Sequence, residues 1–394
     1  MWAAFLFALL LQFGQRPPLT PAETLLEPAI LKAIVDAPLD FQKPGPPLIL
    51  GADAGAGEIV IISPSGKGMT ASAGLQKING LIEAKALPRP ARSIRFLTST
   101  LNTFETSSLQ PPQGAKAAIM VVDYTVPTRQ VIRGLWSTAS IIDEVLELFA
   151  RRTSGAVETQ PYRNVGQPRW ESFGIPVTTI LTGENTEPFY GGAVLVGSTA
   201  YFLATLPNAG SEALLSHLTV GAHARLAEDG RRAVALMGNQ QRASADVLVT
   251  LGHAIEREQR RMRNFERFMP EPVDPMLRRR IADMENNITS VWTSMGITSS
   301  PYMPPAERLR GRAGEDRRVP SRTAAPLPDV VPPAALAKLP QAWDLMHEII
   351  NFVDGKRSIS DIRDAVSAEF GAVPLPAVVA YFETLDKAGA VLVR

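Results

Sequence analysis

Apolar and polar positions change rhythm several times along this chain. Between residues 48 and 206, short apolar runs alternate with stretches of helical period. Ile59 to Ile62, inside GEIVIISPS, is an unbroken apolar run that predicts a buried strand. TASAGLQKINGLIEAKAL places apolar residues at helical spacing, and Pro88 closes it. ARSIRFLTST predicts a second strand. AKAAIMVVDYTV predicts a third, with the continuous apolar centre of a sheet covered on both faces. SIIDEVLELFARR reads as an amphipathic helix. GIPVTTILTG is rich in β-branched residues and reads as another strand. GAVLVGSTAYFLATL reads as an apolar helix packed on the sheet. This alternation predicts an α/β domain over residues 48–209, three-layered around a central, mostly parallel or mixed sheet.

Outside that stretch the rhythm differs. Residues 16–47 form a Pro-rich arm with one amphipathic run, Pro21 to Ile34, ended by Pro44, Pro46 and Pro47. Residues 210–297 lose strand signals and carry three helical stretches: Ser211 to Leu236, Ala243 to Phe268 and Pro275 to Trp292. The second holds Glu256, Arg257, Glu258, Arg260, Arg261, Arg263, Glu266 and Arg267, a mixed-charge pattern that predicts a solvated face with pairs four residues apart. Residues 298–335, rich in Pro, Arg, Ala and Ser, predict a disordered linker. Its basic run Arg308 to Arg318 reads as a solvated tether or an interaction motif. Residues 336–394 predict a small domain. Trp343 to Val353 is its first helix, Ser358 or Ser360 caps a second through Phe370, Pro374 to Ala388 is a third, and AVLVR is a closing strand after Gly389. That order is the outline of a winged helix.

Composition narrows the chemistry. The chain of 394 residues has a formal net charge of +1, so bulk electrostatics imply neither nucleic acid nor an anionic membrane as partner. From Trp343 to Arg394 eight acidic residues outnumber five basic ones, against the phosphate neutralisation that DNA binding needs. A protein contact is the expected role of this tail. The absence of cysteine excludes disulfides, thiolate metal sites and a cysteine nucleophile. The four histidines, His217, His223, His253 and His347, are separated and all follow the α/β stretch. Trp2 to Leu11 is apolar and uncharged, too short for the ~20 residues of a membrane span and suited to the core of a secretory signal over residues 1–15. No positive region precedes it, and the alternative is a short buried or membrane-surface helix. The expectation is export to a secreted or periplasmic location, with membrane contact only through this segment if it is uncleaved. GADAGAGE, Gly51 to Glu58, precedes a strand and reads as a turn rather than a dinucleotide loop.

Three groups of segments, 59–107, 115–126 and 164–206, resemble the two-zinc aminopeptidases of peptidase family M-28. GMTASAGLQKINGLIEAKALPRPARSIRFL resembles the family's bridging-Asp turn with the helix and strand after it. AAIMVVDYTV resembles the strand ending in Asn-Leu-Asp-Met. RWESFGIPVTTILTGENTEPFYGG resembles the late strand and the loop holding the last His. The resemblance implies a zinc-aminopeptidase-like scaffold over about two-fifths of the chain. The family's two His, bridging Asp, Glu and further Asp hold two zinc ions beside a catalytic Glu. The metal pair lowers the pKa of a shared water, and the Glu takes its proton.

Position by position the pattern departs from that set. Ser63-Pro64-Ser65-Gly66-Lys67 stands where the first His and its Asp would follow the strand. The bridging Asp falls near Met69-Thr70. The Glu-Glu pair falls at Leu101-Asn102-Thr103, with Glu105 a little beyond. The last His falls at Phe189-Tyr190-Gly191-Gly192. Asp123 alone keeps the family identity. Asp123 and Glu105 are the remnant catalytic candidates, with a polar strand end and a loop carboxylate as their plain alternatives. Lys67, Thr70, Asn102, Arg169, Trp170 and Tyr190 are the candidate lining of a binding cleft, where Arg169, Trp170 and Tyr190 serve either as anchors or as packing. No metal site is expected and no cofactor, with zinc as the alternative. The reading is an exported pseudo-peptidase that binds a peptide or protein partner. An active metallo-aminopeptidase with a reduced metal site and a structural subunit of an envelope assembly are the other two readings.

Overall fold

Nine strands and eleven helices are described in the computed structural model, which covers residues 28–37, 45–64, 69–98, 109–124, 129–132, 134–150, 158–160, 170, 175–183, 188–206, 211–238, 244–269, 273–294, 316–323, 325, 327 and 332–394. The expected signal segment and most of the expected linker lie outside these residues. The chain divides into two compact units. The sheet unit takes Pro18–Leu218 and Arg260–Ala282. The other takes Thr219–Gln259 and Asp283–Arg394.

In the sheet unit, β1 is Leu48–Ile49, β2 Glu58–Ser63, β3 Ser93–Thr98, β4 Ala115–Tyr124, β5 Arg129–Ile132, β6 Glu158–Gln160 and β7 Val177–Gly183. They form one mixed sheet in the order β1-β3-β2-β4-β7-β5-β6. The central pairs, β3 with β2, β2 with β4 and β4 with β7, are parallel. β1 and β5 run antiparallel to their inner neighbours. Ile59 to Ile62 are fully buried although alternate residues face opposite sides, so both faces of the central strand are covered. This is the mixed, mostly parallel sheet predicted from the apolar runs. The outer strands β5 and β6 were not foreseen: four and three residues are too short to set up a period.

Helices α1 (Pro28–Asp36), α2 (Met69–Glu83), α3 (Ile141–Ala150) and α4 (Pro188–Thr205) belong to the same unit. α4 packs on α2 and α3 and reaches β2, β3, β4 and β7. Two glycines allow the α2–α4 crossing: a Cβ on Gly74 would lie 2.6 Å from the Ala193 carbonyl oxygen, and one on Gly197 would lie 2.9 Å from the Gly74 carbonyl oxygen. The GADAGAGE segment is a turn. Its 3₁₀ piece, Ala54–Ala56, is capped by Asp53, and Gly57 adopts φ +89° ahead of β2.

α5 (Ser211–Gly238), α6 (Ser244–Glu266) and α7 (Pro275–Ser294) contribute residues to both units. The second unit also contains β8 (Pro320–Arg322), the short α8 (Ala334–Ala337), α9 (Ala342–Asn351), α10 (Ile359–Phe370), α11 (Leu375–Lys387) and β9 (Val391–Val393). Ser358 and Asp361 form a capping box on α10, and Gly389 at φ +73° follows α11. Leu345, Ile349, Ile359, Val378 and Phe382 lie in the core of this small domain. One expectation is corrected here. β8 falls within residues 298–335, read as a disordered linker, yet it pairs antiparallel with β9. The pairing extends through mutual backbone bonds between Val319 and Arg394, and Arg318 accepts from the Ile359 amide. Pro320 opens the strand, a position where proline is tolerated.

Candidate functional site

In open α/β sheets, ligands collect outside the carboxyl ends of parallel strands. Here those ends are Ser63, Thr98, Tyr124 and Gly183. Asp123 is the penultimate residue of β4, and the ladder pairs it with Thr182 of β7. Thr182 is fully buried, and its hydroxyl lies 3.3 Å from that of Thr70, also fully buried, in the first turn of α2. Gly192 in the early part of α4 completes the contact. A Cβ there would stand 3.0 Å from the Cγ2 atoms of both threonines. The first turn of α2, the end of β7 and α4 therefore meet in close packing beside the strand position of Asp123.

Two of the sequence candidates, Thr70 and Asp123, are thus brought to one end of the sheet. Trp170 is fully buried. Its indole N–H donates to the Leu109 carbonyl at 2.6 Å, and its own carbonyl accepts from the Ile175 amide at 3.1 Å. That is a packing position, with the polar edge of the ring satisfied inside the unit. Tyr190 lies in the first turn of α4. Lys67, Asn102, Glu105 and Arg169 lie outside the described residues. Zinc takes imidazole nitrogen, thiolate sulfur or carboxylate oxygen. The Thr70–Thr182 pair supplies none of these and does not fit a two-zinc site. Among the described residues, no three His, Cys, Asp or Glu side chains are placed to hold a metal ion.

The charges inside the sheet unit serve its architecture. Arg92 is buried and donates to the carbonyls of Ala56 and Leu203, each at 3.1 Å, and to that of Phe268. Burial lowers its pKa to about 10, against a partial pull from Asp53. Lys77 is buried in α2 and donates to the Ile34 and Val35 carbonyls at 2.9 and 3.0 Å, the carboxyl end of α1. Burial brings its pKa down to about 8, and Asp36 offsets part of the drop. Tyr201 donates to the Pro88 carbonyl at 2.9 Å, and burial raises its pKa to about 12.

Sequence reading missed an ion cluster on α3. Every residue of that helix is buried, including Asp143, Glu144 and Glu147. Asp143 accepts from the Thr178 hydroxyl at 2.6 Å and the Gly134 amide at 3.2 Å. Arg261 reaches Glu144 at 3.0 Å, and His217 lies 3.8 Å from the same carboxylate. The only available signal was acidic residues inside an otherwise apolar helix, which fits a solvated stripe equally well.

In the second unit the predicted solvated face of α6 is corrected. Arg257 and Glu258 are buried, and so is Arg261 in the sheet unit. Arg225 of α5 holds Glu258 through two bonds, at 3.1 and 2.7 Å. Arg257 bridges Glu258 and Asp229, at 2.6 and 2.9 Å. Charge alternation looks the same in sequence whether it pairs along one helix or across two. Arg357, between α9 and α10, pairs with Glu256 of α6 and with Asp354, and its guanidinium lies 5.3 Å from the Phe352 ring centre.

Among solved structures, the chain is similar to a zinc aminopeptidase from Bacillus subtilis, at 12% identity over 40% of this chain, with a TM-score of 0.28. It spans about half of that structure (48%), and a likeness this slight decides neither fold family nor chemistry. No protein-family model matches the chain. No curated protein matches it either.

Proposed function

We propose that this chain is an exported binding protein on an aminopeptidase-like scaffold, with a winged-helix-like tail, and that its partner is a peptide or a protein rather than a substrate to be hydrolysed. The carrying observation is the chemistry at the strand ends. Where the resemblance puts a bridging carboxylate, Thr70 offers a buried hydroxyl bonded to the hydroxyl of Thr182, the ladder neighbour of Asp123. A metal pair that lowers the pKa of a shared water needs several anionic or imidazole donors. A neutral hydroxyl pair stabilises no such charge.

The small domain supports the same reading. Its acidic excess disfavours nucleic acid, and Trp343 stands 57% exposed on α9, the kind of side chain that anchors protein interfaces. The test is elemental analysis of the purified protein after excess zinc and washing, together with partner capture by the full chain. The proposal expects no retained zinc and a captured protein or peptide. Two equivalents of zinc per chain, with release of amino-terminal residues from peptides, would replace it with the metallo-aminopeptidase reading. A tightly co-purifying assembly that depends on residues 336–394 would favour the structural-subunit reading.

A further inference from the structure

We infer that the floor beside the ends of β2 and β7 is sealed by a three-residue latch, Thr70–Thr182–Gly192, which excludes a metal ion from that floor even if a carboxylate is restored there. The inference rests on the proposed function only in taking this end of the sheet as the place to which the aminopeptidase resemblance points. Donor chemistry is one obstacle to a metal there. The latch is a second, independent one, because it concerns space and burial.

Three observations carry it. One threonine hydroxyl donates to the other at 3.3 Å in a place without solvent exposure, so a carboxylate there would lose its water. The two methyl groups leave 3.0 Å to any Cβ on Gly192, so the gap on the α4 side is already smaller than one carbon atom needs. Ser63, at the end of β2, is buried as well, so the floor is closed at that strand too.

The test uses the full chain and two kinds of variant. Gly192→Ala should lower the melting temperature by roughly 2–4 °C, although alanine is the better helix former. Thr70→Ser in the Gly192→Ala background removes one of the two crowding methyls and should recover at least half of that loss. Thr70→Asp should melt well below the parent or fail to fold, and where it folds it should take up no zinc by calorimetric titration. A Gly192→Ala protein that melts at or above the parent would overturn the latch, as would a Thr70→Asp protein of parental stability that binds zinc. Zinc retained in equal amount by the parent and by a destabilised Gly192→Ala protein would place the metal away from the crowded floor, sinking the proposed function and leaving the latch standing.

Discussion

Lys77 holds the carboxyl end of α1 through two backbone carbonyls, and its pKa of about 8 gives that contact a pH dependence. Below pH 8 folded and unfolded chains both carry the proton. Between about 8 and the ordinary lysine value of 10.5 the unfolded chain keeps it while the folded one has lost it, so stability rises with pH across that window. Tyr201 acts oppositely. Its pKa is raised from 10.0 to about 12, so its contribution is present below pH 10 and is lost as pH climbs through 12. Denaturant midpoints at pH 7.5 and 9.5 should therefore rise for the parent and stay flat for Lys77→Met. Trp170→Phe should cost about 1–3 kcal/mol in urea unfolding, because the Leu109 carbonyl loses its buried donor. None of these roles was legible in sequence. Leu109 and Trp170 lie 61 positions apart, and Lys77 caps a helix 42–43 positions away, so only the folded chain reveals the partner. Thr70 was legible as a position but not as a contact, since its partner is 112 residues distant.

At the scale of elements, the two ends of α2 respond differently to one substitution. Gly74→Ala drives a Cβ to 2.6 Å from the Ala193 carbonyl and should destabilise by about 1–3 kcal/mol. Gly80→Ala, with nothing within 4 Å, should instead stabilise by about 0.5–1 kcal/mol through helix propensity. Equilibrium unfolding of the pair reads the difference directly, and equal effects would mean that the helices do not cross at Gly74. In the α5–α6 pair, Glu258→Ala leaves Arg225 and Arg257 without their shared carboxylate and should cost about 3–5 kcal/mol, whereas exchange of an exposed α7 arginine such as Arg279 should cost almost nothing. The long helices were legible to within a few residues because apolar period and proline boundaries both mark them. β5, β6 and β8 were not, because a strand of three or four residues is defined by its neighbours in the ladder rather than by its own pattern.

Over the whole molecule, the α/β order read from the sequence corresponds to the sheet, but the sheet unit is not one continuous stretch. It takes in Arg260–Ala282, which the period assigned to a separate helical segment. Local pattern identifies a helix and says nothing of which core receives it. Arg92 and Glu144 make the dependence concrete, since their partners Phe268 and Arg261 both belong to that returning piece. A fragment ending at Leu218 should lack a cooperative unfolding transition, and a synthetic peptide of residues 260–282 added in trans should restore one. Cooperative unfolding of the fragment alone would show that the returning piece is dispensable.

The same return has a consequence in time. A ribosome adding ~5–20 residues per second needs roughly 3–13 s to move from Leu218 to Ala282. For most of that interval, until Phe268 emerges, the nascent sheet has its strands but lacks one acceptor of a buried guanidinium and the cation for a buried carboxylate. Synthesis thus holds the chain short of its finished state until the last of these groups emerges.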